Sequence, residues 1–231
     1  MDNVEYVGGL SPFENYVNES TEIIAYIGPN VEVIPSYLFY HCDNLVEVVF
    51  DENSQVTFIG ERAFSYCEKL KTIHIPEGVV EIGLYALDSG NISDVSIPNS
   101  LEKMTNIGFS DKVNYTIVDG VYYVGNETNP YLILCKTDNN VYRVDINEKT
   151  KFVQDFAFMS DSIKEVYIPS SVKILHSFPN MSTGIQVSVV FENKENWYIG
   201  EVLLDSSRMD DIEYIRDMYY ECSGTYWINK G

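Results

Sequence analysis

Apolar residues return along the chain as a repeated triplet, apolar-x-x-apolar-x-apolar. Leu45, Val48 and Phe50 form the first copy. Leu70, Ile73 and Ile75, then Ile92, Val95 and Ile97, repeat it, and Val141, Val144 and Ile146, then Ile163, Val166 and Ile168, resume it after a gap. The starts lie 25 and 22 residues apart in the first run and 22 in the second. Self-similarity at such a period marks a solenoid whose coils tolerate small insertions. The period-2 end of each triplet predicts a short strand with its apolar side inward. Pro76, Pro98 and Pro169 follow the strand, where no further ladder donor is needed.

A second pattern precedes or follows each triplet. VEVIPSYLFYHC, VTFIGERAFSYC, VVEIGLYALDSG and TKFVQDFAFMSD align column by column. Ile34, Ile59, Ile82 and Val153 share one column, and Phe39, Phe64, Leu87 and Phe158 another. A third holds Cys42 and Cys67, with Gly90 and Asp161 in their place. The spacing predicts a turn of helix or 3₁₀ structure that fills the coil interior.

The stretch AFSYCEKLKTIHIPEGVVEIG, Ala63 to Gly83, resembles the BspA-type bacterial leucine-rich repeat in its Ala-Phe, Cys, Leu, Ile-Pro and Ile-Gly landmarks. The likeness is specific in the coil Ile59–Gly83, good over Ile34–Ile97 and weaker over Val141–Ile174. It departs at Gly90, at Asp161 and at LEKMTNIGFSDKV, where an irregular coil is expected. The resemblance implies a curved stack with strands on its concave side. It also implies secretion or surface display, a role in adhesion or protein binding, and no shared catalytic residues. The expected fold is therefore a β-rich repeat (α/β-type) solenoid of irregular 22–25-residue coils with an inserted three-stranded β-meander and terminal caps. It reads as one domain over 1–231: a cap at 1–22, repeats at 23–112, the insert at 113–137, repeats at 138–184 and a cap at 185–231.

In the insert, Asp119-Gly120 between two β-rich runs is a hairpin signal, and Asn126–Pro130 supplies another turn. Tyr122, Tyr123 and Tyr131 have two readings, an aromatic binding surface or packing of the insert on the coils; the habits of cross-strand aromatics favour the second. Ser11, Pro12 and Glu14 predict a short starting helix. Ser207 and Asp210 predict the start of a C-terminal helix with Met209, Ile212, Ile215 and Tyr219 on one face.

Charge then narrows the partners. Thirty-five acidic residues against 15 Lys and Arg leave −20, which disfavours nucleic acid and anionic lipid. No run of about 18 apolar residues suits a membrane span, so no membrane insertion is expected. The start, MDNVEYVGGL, lacks the pattern of a signal peptide, so either the protein stays inside the cell or the chain is a trimmed mature part; the resemblance implies an extracellular or cell-surface location, with the cytoplasm as the alternative.

Little points to catalysis. His41, His74 and His176 are isolated, and no metal spacing, cofactor motif or phosphate loop appears. The neighbours His41 and Cys42 read as a turn histidine beside a packing cysteine. Cys42 and Cys67 stand in one column of successive coils and read as buried thiols, although a disulfide is sterically conceivable. Sequons stand at Asn18, Asn91, Asn114, Asn126 and Asn180.

The strand alternation turns Thr72 and His74 outward, together with Glu47 and Val49, Asp94 and Ser96, Arg143 and Asp145, and Glu165 and Tyr167. This stripe reads either as a binding face or as a solvated sheet surface. His74, Arg143 and Tyr167 are its candidate anchors, with Thr72, Glu165, Tyr122 and Tyr123 as further candidates. The expected function is a non-enzymatic interaction or adhesion module for a protein or glycan partner. The alternatives are a structural spacer and a hydrolase with its site in the insert or cap.

Overall fold

The computed structural model describes Phe13 and residues 21–179, 187–221 and 226–231, with backbone alone at 219–221. The expected starting helix at Ser11–Glu14, Cys222 and the Tyr219 side chain lie outside this description. The fold is a β-solenoid with little helix, and its contacts separate into two compact units. The first is Met1–Asn114 with Gly125–Thr128; the second is Tyr115–Val124 with Asn129–Gly231.

In the first unit each coil contributes a short strand to a parallel ladder. Val33–Ile34, Phe58–Ile59, Glu81–Ile82 and Lys103–Met104 stack in that order. The triplet strands pair likewise: Ile23–Ile27 with Leu45–Phe50, and Thr72–His74 with Asp94–Ser96. A register of one coil per strand puts like residues over like. Ile34, Ile59, Ile82 and Met104 therefore form one fully buried column. The Phe column is a stack of rings, Phe13 on Phe39 on Phe64, with centroids 5.4 Å apart and planes within 10° at each step.

The segment between these columns is not the turn of helix or 3₁₀ that the spacing predicts. It is a run of tight turns in which Tyr37, His41, Arg62, Tyr66 and Tyr85 all have positive φ. Their backbone groups point along the stack rather than along the chain. The N–H groups of Tyr37, Phe39 and His41 donate to the carbonyls of Glu61, Ala63 and Ser65 at 2.8–3.0 Å. Those of Arg62, Phe64 and Tyr66 donate to Leu84, Ala86 and Asp88 at 2.9 Å. Each left-handed L-residue costs about 1 kcal/mol, which this inter-coil ladder offsets.

The Ile-Gly glycines answer to crowding. A Cβ on Gly60 would stand 2.3 Å from the Ser36 nitrogen, and one on Gly83 2.7 Å from the Glu61 nitrogen. The neighbouring coil's backbone occupies the side-chain space.

The cysteine column is corrected by one position. Cys42 and Cys67 lie three residues before Leu45 and Leu70, whose N–H groups donate to the cysteine carbonyls at 2.9 and 3.1 Å. In the coils without cysteine the residue making this bond is Ser89 (to Ile92) and Ser160 (to Ile163), not Gly90 and Asp161. Both serines are buried. The Ser89 hydroxyl donates to the Cys67 carbonyl at 2.6 Å and that of Ser160 to Asn139 at 2.7 Å. The Cys67 thiol donates to the Phe39 carbonyl at 3.1 Å. Small donors at this position thus satisfy a carbonyl of the preceding turn.

The second unit has a three-stranded parallel ladder of Arg143–Asp145, Glu165–Ile168 and Ser188–Phe191. Its other sheet has eight strands. Ile133–Thr137, Phe152–Val153 and Ile174–Leu175 are parallel, while Val121–Val124 and Thr116–Val118 continue antiparallel on one side. Trp227–Asn229, Trp197–Ile199 and Val202–Leu203 continue it on the other. The three strands of the insert form the antiparallel arrangement that Asp119-Gly120 predicts, and the third joins the coil ladder. Trp197, Trp227, Phe178 and Phe191 close the core at the C-terminal end.

The C-terminal helix begins later than Ser207 and Asp210 predict. Asp205 accepts from the Ser207 N–H and hydroxyl and caps a 3₁₀ turn, Ser206–Arg208. The α-helix is Ile212–Glu221, and Asp211 Oδ1 accepts from the N–H groups of Glu213 and Tyr214 at 3.0 and 3.2 Å. A carboxylate beats a hydroxyl here because it accepts twice beside the helix N-terminus.

Candidate functional site

The outward residues of the triplet strands form registered rows in each unit. In the first, Ile24 faces Glu47, Tyr26 faces Val49, Thr72 faces Asp94 and His74 faces Ser96. Tyr26 is 76% exposed. His74 Nε2 lies 3.4 Å from Asp94 Oδ2, with both side chains more than half exposed, so the pair contributes little to stability.

In the second unit Arg143, Glu165 and Ser188 form one row and Asp145, Tyr167 and Val190 the next. The Arg143 guanidinium is already engaged. Its Nε and Nη2 donate to Asp145 at 2.7–3.0 Å and its Nη1 to Glu165 at 3.3 Å. The bond to Asp145 raises the Arg143 pKa and holds the Asp145 carboxyl below its usual range. Tyr167 is raised by partial burial and by Glu192. Glu192 is held low by the Ser170 N–H, which donates to it at 2.7 Å.

Tyr122 and Tyr123 are neighbours in one strand and so face opposite sides. Tyr123 is 2% exposed, edge-on to Tyr131, and its hydroxyl accepts from the Asn147 N–H at 3.3 Å. Burial pushes its pKa up to about 12. It is a core residue, while Tyr122 is half-buried. The Tyr122 hydroxyl donates to Asp138 at 2.9 Å, and the Lys136 ammonium lies over its ring and that of Tyr115.

His41 and Cys42 point apart. The His41 ring stacks on Tyr66 at 4.7 Å, whereas Cys42 is 2% exposed. Burial raises the thiols of Cys42, Cys67 and Cys135, which are all unpaired. Among the described residues no group of three His, Cys, Asp or Glu side chains could hold a metal ion.

The turn segments of the first unit carry a group that the sequence reasoning missed. Tyr37 meets Tyr40 edge-on, Tyr40 meets both His41 and Tyr66 edge-on, and the Arg62 guanidinium lies 5.3 Å from the centre of the Tyr85 ring. The signal was available: Tyr37 and Arg62 stand three residues after the Ile column, and His41 and Tyr66 seven after it.

Coils of 22–25 residues, a strand ladder on the triplet and tight turns after the Ile column define a leucine-rich-repeat type of solenoid. The chain belongs to the BspA type leucine rich repeat region family, whose model matches six copies over residues 15–127 and 135–220. A search of curated proteins finds no match. Among solved structures, the pneumococcal vaccine antigen PcpA is similar at 16% identity and a TM-score of 0.42, over 77% of this chain and 54% of that one. A leucine-rich repeat protein from Eubacterium ventriosum matches at 18% identity and a TM-score of 0.34, over 73% of this chain and 59% of that one. A leucine rich cell surface protein from Faecalibacterium prausnitzii matches at 19% identity and a TM-score of 0.30, over 80% of this chain and 64% of that one. The chain thus spans between 54 and 64% of these structures' own length. No helix among the described residues is long and apolar enough to cross a membrane.

Proposed function

We propose that the chain is a non-enzymatic interaction module of the adhesive kind, displayed at a bacterial cell surface, that offers its exposed strand faces to a protein or glycan partner. The observation that carries this reading is the registered array of outward side chains in each unit, from Thr72 and His74 to Arg143, Glu165 and Tyr167. Rigid ladders hold such rows with little entropy left to lose on binding, which is how repeat folds serve as recognition surfaces. Membership of the repeat family supports the same reading.

One observation favours a spacer role instead: the Arg143 guanidinium of the strand face is already neutralised internally by two carboxylates. Two variants separate the readings, Thr72→Ala with His74→Ala, and Arg143→Ala with Tyr167→Ala. Each is assayed by biolayer interferometry against immobilised matrix proteins and glycans. A binding module loses affinity about tenfold or more in one of them. Undiminished binding by both removes the strand faces from the proposal, and wild-type protein that binds nothing supports the spacer.

A further inference from the structure

Two features of the turn segments in the first unit have no part in the strand-face reading. Tyr37, His41, Arg62, Tyr66 and Tyr85 hold φ between 51° and 61°, the left-handed region that glycine occupies freely. None of the five side chains is buried, so core packing does not explain why bulky residues stand there. The inter-coil backbone bonds set this conformation, and it leaves the five side chains at the surface of the turns. The second feature is chemical. The five are Tyr, His and Arg, and with Tyr40 they form the aromatic group described above. Tyr and Arg are types enriched among interface anchors.

The chain's own cations show what such a group holds. Arg62 lies over Tyr85 with Glu61 3.6 Å from its Nε. Arg208 lies 4.2 Å from the Tyr214 ring centre with Asp211 at 3.1 Å. Lys136 lies over Tyr122, whose hydroxyl is bonded to Asp138. In each case a cation sits on a tyrosine face beside a carboxylate, where the ring quadrupole and the negative charge both attract it. Tyr37 repeats the combination, since its hydroxyl donates to Glu61 Oε1 at 2.7 Å and its ring meets Tyr40, which in turn meets Tyr66. Among the described residues no Lys or Arg of the chain lies over these three rings.

We infer that Tyr37, Tyr40 and Tyr66, with Glu61, form a docking surface for an arginine- or lysine-bearing segment of a protein partner. Charge complementarity selects this occupant, because a chain of net charge −20 draws basic segments toward it and this group supplies the aromatic faces that hold them. The surface lies on the turns, not the strands, so its success or failure is independent of the strand-face proposal.

The test uses the full chain and a short glycine–arginine peptide, with the glycine–citrulline peptide as an uncharged isostere, in calorimetric titrations at physiological salt. The arginine peptide binds and the citrulline peptide does not. Tyr40→Ala, Tyr66→Gly and Glu61→Gln each weaken binding by about fivefold. Asp94→Asn, which removes one charge from the strand face, leaves it unchanged. The Tyr66→Phe variant keeps the ring face and binds as the wild type does. Two results overturn the inference: tyrosine-deletion variants that bind undiminished, and Asp94→Asn weakening binding as much as Glu61→Gln. A neutral oligosaccharide that binds this surface more tightly than the arginine peptide overturns it as well.

Discussion

Deleting the Phe64 ring removes the middle of a stack. Phe64 is fully buried, lies 5.4 Å from Phe39 with the rings nearly parallel, and donates its N–H to the Ala86 carbonyl in the next coil. Phe64→Ala leaves that backbone bond in place and removes only the ring. The loss combines transfer of a buried aromatic with the residual cavity, about 3–5 kcal/mol. Stacking between rings accounts for about 1 kcal/mol of it. Collapse around the gap is hindered because the inter-coil ladder holds the coils at a fixed spacing, which places the expectation in the upper half of the range. Against a total stability of about 5–15 kcal/mol this is a large fraction. Guanidinium denaturation followed by far-ultraviolet circular dichroism measures it as a lowered midpoint with an unchanged slope. Phe64→Leu is the control: Leu87 fills the same column one coil on, so this change costs about 1 kcal/mol. A midpoint unmoved by Phe64→Ala, or equal losses for Ala and Leu, would refute the stacked column.

The remaining predictions concern the thiols and the helix cap. Ellman titration finds Cys42, Cys67 and Cys135 unreactive in the native protein and all four cysteines reactive in denaturant; recovery of only two would reveal a bridge. Burial raises these thiols above their unfolded pKa of about 8.5. The unfolded chain therefore releases protons first, and stability present below about pH 8.5 declines as pH rises, by up to about 1.4 kcal/mol per unit for each thiol. Cys135→Ala flattens that decline by one proton, and a stability flat from pH 8 to 10 contradicts the assignment. Asp211→Ala lowers the thermal midpoint by a few degrees and Ser207→Ala by less, since Asp211 caps the α-helix; the reverse order would restore Ser207 as the cap.

Much of the ladder was legible because it is written in period and volume. The triplets at Leu70–Ile75 and Ile163–Ile168 and the columns through Ile59 and Phe64 require only that apolar residues recur at coil spacing. What escaped was set by other physics. The buried donors at Ser89 and Ser160 were missed because the Cys column was counted forward from Phe64 and Leu87, whereas the structure keeps its three-residue spacing to the next triplet. Tyr122 and Tyr123 carry the same two readings in the sequence, with packing favoured, although strand alternation puts only Tyr123 in the core. The columns of Tyr37 through Tyr85 are legible in the sequence, but their left-handed conformation is not, because backbone sign follows from the inter-coil hydrogen bonds. Of the candidate anchors, His74 and Arg143 are exposed as the alternation predicts, whereas Tyr167 is half-buried and two carboxylates occupy the Arg143 guanidinium.

The glycines of the Ile-Gly pairs carry a consequence for how such a chain changes length over time. Gly60 and Gly83 lack a side chain because the coil before each one fills the space where a Cβ would stand. The requirement therefore belongs to the junction between two coils rather than to either coil alone. A duplicated coil inserted in tandem brings its own glycine to the new junction and can join at once. A coil copied behind an unrelated neighbour meets a different surface, and its glycine becomes free to drift. Tandem growth is thus the inexpensive route to a longer stack, and surviving Ile-Gly pairs mark the junctions where coils still fit as they did when copied.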